Sequence, residues 1–301
     1  MSQTFISNRV FMEEKVVVER FDIIKYEDLY SEMLSVIQDE DDINDFKDTF
    51  DHSPSNIFLS FYNGLFSGMA WFTPPSDNET VIGIWVKKRF RKKGCGKALL
   101  RSIDSALLHL NTSGNLTAFC FSDGGKKTSS LVVESGFEYS HSYVTMRYNN
   151  ASINIDNSAV DLVNYSDEYY EQTVELRNSG IKEAGAYYGE NAVDLFFKDD
   201  LEYRKYMNSV SKNAFMIVNN GIVDGFVMVR GSEIMALNVR KTKRGEGYAK
   251  ILVKKCIEYL RSMRVYDIEL ICVDKNVPAY NLYRNLGFRA VGAVRCYKKI
   301  F

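Results

Sequence analysis

The chain has 301 residues, room for one large domain or two ordinary ones, and its 38 Lys and Arg against 39 Asp and Glu leave a formal net charge of -1. That balance argues against a binder of nucleic-acid backbone, which needs a surplus of basic side chains on one face. No stretch approaches the ~20 apolar residues that span a bilayer, and the N-terminus lacks a signal-like apolar core. Five scattered cysteines (Cys95, Cys120, Cys256, Cys272, Cys296) form no C-x-x-C pair, which speaks against a disulfide framework or a metal site and points to a reducing cytoplasm.

The chain repeats itself. Residues 56–72, NIFLSFYNGLFSGMAWF, align with residues 213–229, NAFMIVNNGIVDGFVMV, so that Asn56, Phe58, Asn63, Gly64 and Gly68 recur as Asn213, Phe215, Asn220, Gly221 and Gly225. Arg91–Gly96 aligns in the same way with Arg244–Ala249, and Gly136-Phe137 with Gly287-Phe288. The offset drifts where the first copy carries Thr73–Asn78, a loop in which an insertion belongs. Two copies of one domain follow, residues 1–150 and 151–301, joined near Asn149–Ser158.

In chain order each copy predicts a strand, a helical pair, and a hairpin whose Asn-Gly turn tolerates positive φ. A strand, a long helix, a strand, a helix and two closing strands come next. The long helix is the clearest element. Leu99, Leu100, Ile103, Ala106, Leu107 and Leu110 share one face in the first copy, and Ala249, Leu252, Val253, Cys256, Ile257 and Leu260 do so in the second. The fold class is α/β, with a mixed (α+β) sheet covered by helices on both faces.

Between a strand and each long helix lies a glycine-bearing turn: Arg91, Lys92, Lys93, Gly94, Cys95, Gly96 in one copy, and Arg244, Gly245, Glu246, Gly247, Tyr248, Ala249 in the other. A helix opening on such a turn points free N–H groups and the positive end of its dipole outward, a site for phosphate oxygens. A Walker A loop is excluded, because Ala98 stands where Ser or Thr should hold Mg²⁺, and G-x-G-x-x-G is absent from both copies. Taken alone, the turn could equally carry its glycines for backbone reasons.

The turn is followed by Asn276-Val277-Pro278-Ala279-Tyr280-Asn281-Leu282-Tyr283-Arg284-Asn285-Leu286-Gly287-Phe288. Loop and run together resemble the GNAT N-acetyltransferase superfamily, over nearly the whole chain and in both copies. The resemblance implies two tandem GNAT-like acyl-CoA N-acyltransferase domains, with acetyl-CoA as co-substrate and transfer to an amine by direct attack in a ternary complex. The loop amides would hold the coenzyme's diphosphate, and its pantetheine arm would enter a splay between the fourth and fifth strands. Val239 would turn its N–H to the thioester carbonyl, Asn276 would bond the pantetheine or brace its helix, and Tyr283 would protonate the leaving sulfur. An aliphatic amine has a pKa near ~10 and must lose a proton before it attacks. Glu233 stands where the family often carries its base.

At the matching positions the first copy has Thr80, Gly125 and Val132, so the second copy is expected to be catalytic and the first degenerate. Val86 and the loop Arg91–Gly96 would still suit CoA, beside the basic run Lys87, Lys88 and Arg89. Where the resemblance implies the acceptor site, for a small-molecule or peptide amine, the chain has acidic and aromatic stretches. They suit a cationic amine or, more simply, form the solvated side of amphipathic helices. The stretches are Asp39-Glu40-Asp41-Asp42 in the first copy, and Tyr187, Tyr188, Glu190, Asp194, Phe196, Phe197, Asp199 and Asp200 in the second. No nucleic acid or membrane partner is expected. A CoA-binding scaffold without catalysis, and transfer of a longer acyl group, are the rival readings.

Overall fold

A computed structural model describes residues 15–37, 40–111, 115–122, 126–149, 160, 162–187 and 194–301. It divides into two compact units.

The first unit is built from β1 (Val16–Arg20), α1 (Ile23–Tyr26), α2 (Tyr30–Val36), α3 (Glu40–His52), β2 (Ile57–Tyr62), β3 (Leu65–Phe72), β4 (Glu79–Val86), α4 (Cys95–Leu110), β5 (Thr117–Ser122) and α5 (Lys126–Glu134). β1 to β4 run antiparallel, and β4 pairs parallel with β5. One face of this sheet buries Leu99, Leu100, Ile103 and Leu107 of α4, and the other packs Met33, Phe46 and Trp71. Leu110, expected on the buried stripe, is 50% exposed because the helix ends there.

The second unit contains β7 (Leu162–Asn164), α6 (Tyr170–Ala186), α7 (Leu201–Ser209), β8 (Ala214–Asn219), β9 (Ile222–Arg230), β10 (Glu233–Val239), α8 (Tyr248–Ser262), β11 (Glu269–Val273) and α9 (Val277–Asn285). Its sheet repeats the pattern, with β7 to β10 antiparallel and β10 parallel to β11. α8 buries Leu252, Val253, Cys256, Ile257 and Leu260 on one face of the sheet, as its periodicity predicts, while α6 and α7 cover the other.

Both hairpins turn on Asn-Gly with positive φ at each residue, 50° and 80° at Asn63-Gly64, 50° and 77° at Asn220-Gly221. Both also carry a register shift at the same repeat position, after Ser60 and after Ile217. The connection after β3 spans Thr73–Asn78, whereas that after β9 is only Gly231 and Ser232. This is the insertion that the drifting offset implied.

The ends of the two copies depart from expectation. In place of two closing strands, each copy contributes one among the described residues: β6 (Glu138–Tyr148) and β12 (Phe288–Ile300). The chain-order division at 150 also differs from the spatial one. One unit takes in the chain up to Tyr139 together with Cys296–Phe301, and the other takes in Ser140–Arg295. Each five-stranded sheet therefore receives its sixth strand from the other half of the chain. In the second unit β6 pairs antiparallel with β11, from Glu269 opposite Arg147 to Val273 opposite Tyr143. In the first, the Phe301 amide donates to Leu116 O at 2.9 Å, and Lys299 Nζ meets Asp104 Oδ2 at 2.8 Å and Ser135 O at 3.0 Å. Periodicity reports which face of a strand is buried and carries nothing about its neighbour, so the exchange was invisible in sequence. The expected linker residues 150–158 lie outside the described residues.

Replacing Lys299 by Met strips Asp104 of its cation in a half-buried setting. The variant should lose about 1–3 kcal/mol in urea unfolding, the scale of a charge-assisted hydrogen bond.

Candidate functional site

The site forms where β10 and β11 part. Among the described residues they share a single ladder pair, Glu233 opposite Glu269, and beyond it β10 has no ladder partner on the β11 side. A bulge causes the bend: Met235 faces Met228 while Asn238 faces Phe226, so β10 holds one residue more than β9 across this interval. Ala236, inside the bulge, adopts φ 55°, a left-handed conformation unusual for a residue with a Cβ. Asn238 Nδ2 donates to Ala236 O at 2.9 Å and holds the kink. From α6, Gly180 comes so close that a Cβ there would lie 1.6 Å from Asn238 Oδ1.

The glycine turn opens at the C-terminal end of β10. Arg244 has extended backbone, Gly245 and Gly247 have φ 87°, and α8 starts with Gly247 as an N-cap that offers no side chain. The first amides of α8 therefore have no intrahelical acceptor and point outward with the helix dipole behind them. A Cβ on Gly245 or Gly247 would meet nothing within 4 Å, so the space in front of the turn is open. Arg244 Nε donates to Val239 O at 3.1 Å, tying the turn to the strand end. Lys243 pairs with Glu246 at 3.5 Å.

A second brace lies beneath the turn. Asp224, 3% exposed, pairs with Arg240 at 3.2 Å and accepts from Asn219 Nδ2 at 2.8 Å. The same Nδ2 donates to the Tyr248 hydroxyl at 3.1 Å, while Ala249 packs on the apolar core under α8. Arg240 Nη2 also donates to Val223 O at 2.7 Å.

Tyr283 is 9% exposed among Val239, Cys256, Cys272 and Phe288 in that same core. Burial pushes its phenol pKa well up, and the nearby Cys272 and Cys256 push it the same way, so the group stays protonated at neutral pH. Asn276 stands at the end of β11 and caps α9, its Oδ1 accepting from the Ala279 amide at 3.2 Å. Its side chain thus braces the helix, one of the two roles expected of it. Cys256 is fully buried on α8, and burial raises its thiol pKa, as a packing role requires.

Glu233 is not brought to this end. It opens β10 beside Glu269 and sits 3.8 Å from Arg230. Its six-residue separation from Val239 amounts to roughly 20 Å of strand. The structure gathers Val239, the turn 244–249, Asn276 and Tyr283 around the C-terminal ends of β10 and β11, and leaves Glu233 at the opposite edge.

Next to the turn a groove of about 740 Å³ runs between α6 and residues 194–198, with Lys241 also lining it. Asp194, Phe196 and Phe197 line it, and its charges are compensated. Lys182 pairs with Asp194 at 2.8 Å, Lys198 with Glu175 at 2.5 Å, and Lys241 with Glu183 at 3.2 Å. Asp200 is occupied as the N-cap of α7, accepting from the Tyr203 amide at 2.8 Å. Tyr188 and Glu190 lie outside the described residues.

The acetyltransferase (GNAT) family matches residues 23–127, and the FR47-like protein family matches residues 218–297. A GCN5-related N-acetyltransferase from Sphaerobacter thermophilus has the same fold at 15% identity, with a TM-score of 0.67 over 95% of both chains. A tandem GNAT protein from the clavulanic acid biosynthesis pathway aligns over 96% of this chain and 98% of its own, with 14% identity and a TM-score of 0.57. The N-acetylaspartate synthetase of Xenopus tropicalis is 32% identical over 95 residues, which make up 30% of this chain and 35% of that protein. The chain thus matches about a third of the length of that curated relative.

Within this pair of repeats, the first copy keeps the turn and loses its surroundings. Lys92 takes φ 65° where Gly245 stands in the second copy, Gly94 has φ 86°, and Arg91 Nε donates to Val86 O at 3.0 Å. Yet β4 and β5 stay paired over four residues, Glu79–Ile82 with Thr117–Cys120, and β4 has no bulge. The Trp71 indole lies where a Cβ on Gly83 would be, 2.1 Å away, and fills that face. Leu131 approaches Gly96 so closely that a Cβ there would be 2.7 Å from it. Thr80 and Val132 are buried, Cys95 is 1% exposed, and Lys93 Nζ is turned to the Tyr62 hydroxyl at 3.2 Å. Of the basic run, Lys87 is paired with Glu32. In the acidic stretch, Asp42 accepts from Trp85 Nε1 at 3.0 Å. Asp39 and Gly125, with the side chains of Glu40 and Asp41, lie outside the described residues.

Sequence reasoning missed Glu183, Asp224 and the Ala236 bulge. Glu183 looks like any glutamate on a helix, and a bulge leaves no periodic trace in a seven-residue strand. Asp224 had a faint signal, an acidic residue inside an alternating apolar hairpin strand.

Gly180→Ala should push the Asn238 amide off Ala236 O and disturb the bulge. A loss of about 1–3 kcal/mol in thermal unfolding is expected, part of which Gly180→Ala/Asn238→Ala should recover because the second change removes the clashing atom.

Proposed function

We propose that the chain is an acetyl-CoA-dependent N-acetyltransferase whose second copy transfers acetyl directly to an amine of a small molecule or peptide. The observation that carries this reading is the uncapped N-terminus of α8, opening on two positive-φ glycines at the mouth of the β10–β11 gap. Open space over Gly245 and Gly247, free amides, and Lys241 and Arg244 beside them suit a diphosphate.

Bound acetyl-CoA supplies an activated acetyl thioester. The amides of residues 245–249 receive the diphosphate oxygens, and the unpaired edge of β10 at Val239 lies ready to hold the coenzyme's arm as a strand neighbour would. Tyr283 keeps its proton on the phenolic oxygen, the state a donor to a departing thiolate needs. Glu233 stands too far along β10 for contact with these groups, so its role as base would run through ordered water. The groove beside the turn receives the acceptor. A second reading, an amine that also bears a carboxylate, draws on the name of the N-acetylaspartate synthetase relative alone, since Lys182, Lys198 and Lys241 in the groove are paired with Asp194, Glu175 and Glu183.

Calorimetric titration of the full chain with acetyl-CoA tests the reading. Binding near one site per chain is expected, since β10 and β11 part after one ladder pair whereas β4 and β5 stay paired over four; no binding would leave a fold without its co-substrate. Gly247→Ala, which forces a side chain into φ 87°, should weaken binding by about tenfold, the equivalent of the 1–2 kcal/mol that such a conformation costs. In an amine screen that reads CoA release, Tyr283→Phe should lower kcat about a hundredfold and leave acetyl-CoA affinity nearly unchanged. Binding without release for any amine would favour the non-catalytic scaffold.

A further inference from the structure

Glu183 stands between the groove and the glycine turn, and both of its oxygens are engaged. Oε2 meets Arg244 Nη2 at 2.6 Å, and Oε1 meets Lys241 Nζ at 3.2 Å. The other carboxylates lining the groove, Asp194 and Glu175, are paired with Lys182 and Lys198. Glu183 instead takes the two cations that flank the free amides of α8. Arg244 keeps Nε on Val239 O, so the strand fixes its plane and its Nη2 edge faces whichever anion is near. In this arrangement a side-chain carboxylate neutralises the two side-chain cations beside an anion-binding turn. The first copy has a comparable contact, in which Glu32 of α2 holds Lys87 immediately after β4.

Both Glu183 pairs are partly exposed, with Glu183 at 26%, Arg244 at 48% and Lys241 at 69%. Such pairs are weak and exchange readily for a stronger anion. A diphosphate brings more charge and takes the α8 amides as well, which Glu183 leaves unused. We infer that Glu183 holds Arg244 and Lys241 in the free chain and yields them to the diphosphate of acetyl-CoA, leaving its carboxylate on the groove wall to receive the acceptor's ammonium. The inference rests on the acetyl-CoA reading above. It makes binding ordered, because the acceptor's carboxylate partner is released only when the coenzyme has bound.

Calorimetric titration with acetyl-CoA of the full chain, Glu183→Gln, Glu183→Ala and Glu175→Gln decides the first half. With the competing anion removed, both Glu183 variants should bind about two- to fivefold more tightly, the span that weak exposed pairs allow, and the gain should shrink as salt rises. Glu175→Gln, in the same groove but away from the turn, should match the parent chain. A simple clamp between α6 and the turn predicts the reverse, so unchanged or weaker binding in both Glu183 variants overturns the exchange. Failure of the parent chain itself to bind overturns the acetyl-CoA reading, a separate result. With the amine found by CoA release, Glu183→Gln should raise the amine KM at least about fivefold with kcat largely kept; an unchanged KM overturns the ammonium role.

Discussion

Everything at the site depends on one strand leaving its neighbour early. After Glu233 and Glu269, β10 turns aside, and a length of backbone that a sheet would ordinarily satisfy has no ladder partner on that side. The departure is enforced from the opposite face. Asn238 ties back to Ala236, the bulge adds a residue, and α6 presents a glycine so that the kinked strand can be approached closely. The Asp224–Arg240 pair then sits directly below the turn, where a buried carboxylate with several donors costs little and confers rigidity. Rigidity matters because an anion site made of amides works only if the amides do not need to be gathered when the anion arrives.

The two copies show how much of this arrangement is scaffold and how much is chemistry. Turn geometry survives in both, down to an arginine Nε on the carbonyl of the last strand residue. Even the filling beneath the turn is conserved in substance. A tyrosine comes from the hairpin strand in the first copy, Tyr62 over Cys95, and from the helix in the second, Tyr248 against Asn219. Among the described residues the bulge occurs only in the second copy, which also has Tyr283 in place of Val132 and parts its strands after one ladder pair rather than four. In the first copy Trp71, Leu131 and Val132 close the space with apolar volume. Once nothing enters the gap, packing favours filling it.

The hairpins, the long helices and the glycine turns were legible because each depends on local rules: positive φ at Asn-Gly, helical spacing, and a glycine N-cap. The exchange of closing strands was not legible, because β6 and β12 alternate in the same way whatever lies beside them. Glu233 drew attention through its spacing from the turn, but spacing along a strand is also distance, and it placed the carboxylate at the far edge. The acidic and aromatic stretch 194–200 looked like a cation site because the lysine that pairs with Asp194, Lys182, comes from α6, whose Glu175 takes Lys198 in turn. Charge compensation across elements is a tertiary fact, and no window of sequence contains both members of such a pair.

The exchanged strands also set a timetable for synthesis. The edge of β5 in the first unit is completed by residues 296–301, over 150 residues after α5 has been made. At roughly 5–20 residues per second, a ribosome leaves that edge open for about 8–30 s. An uncovered strand edge during that interval is a template for pairing with another nascent chain. The first unit, although translated first, is therefore the last to be finished, and its exposure to chaperones and to misassembly is governed by how fast the second half is made.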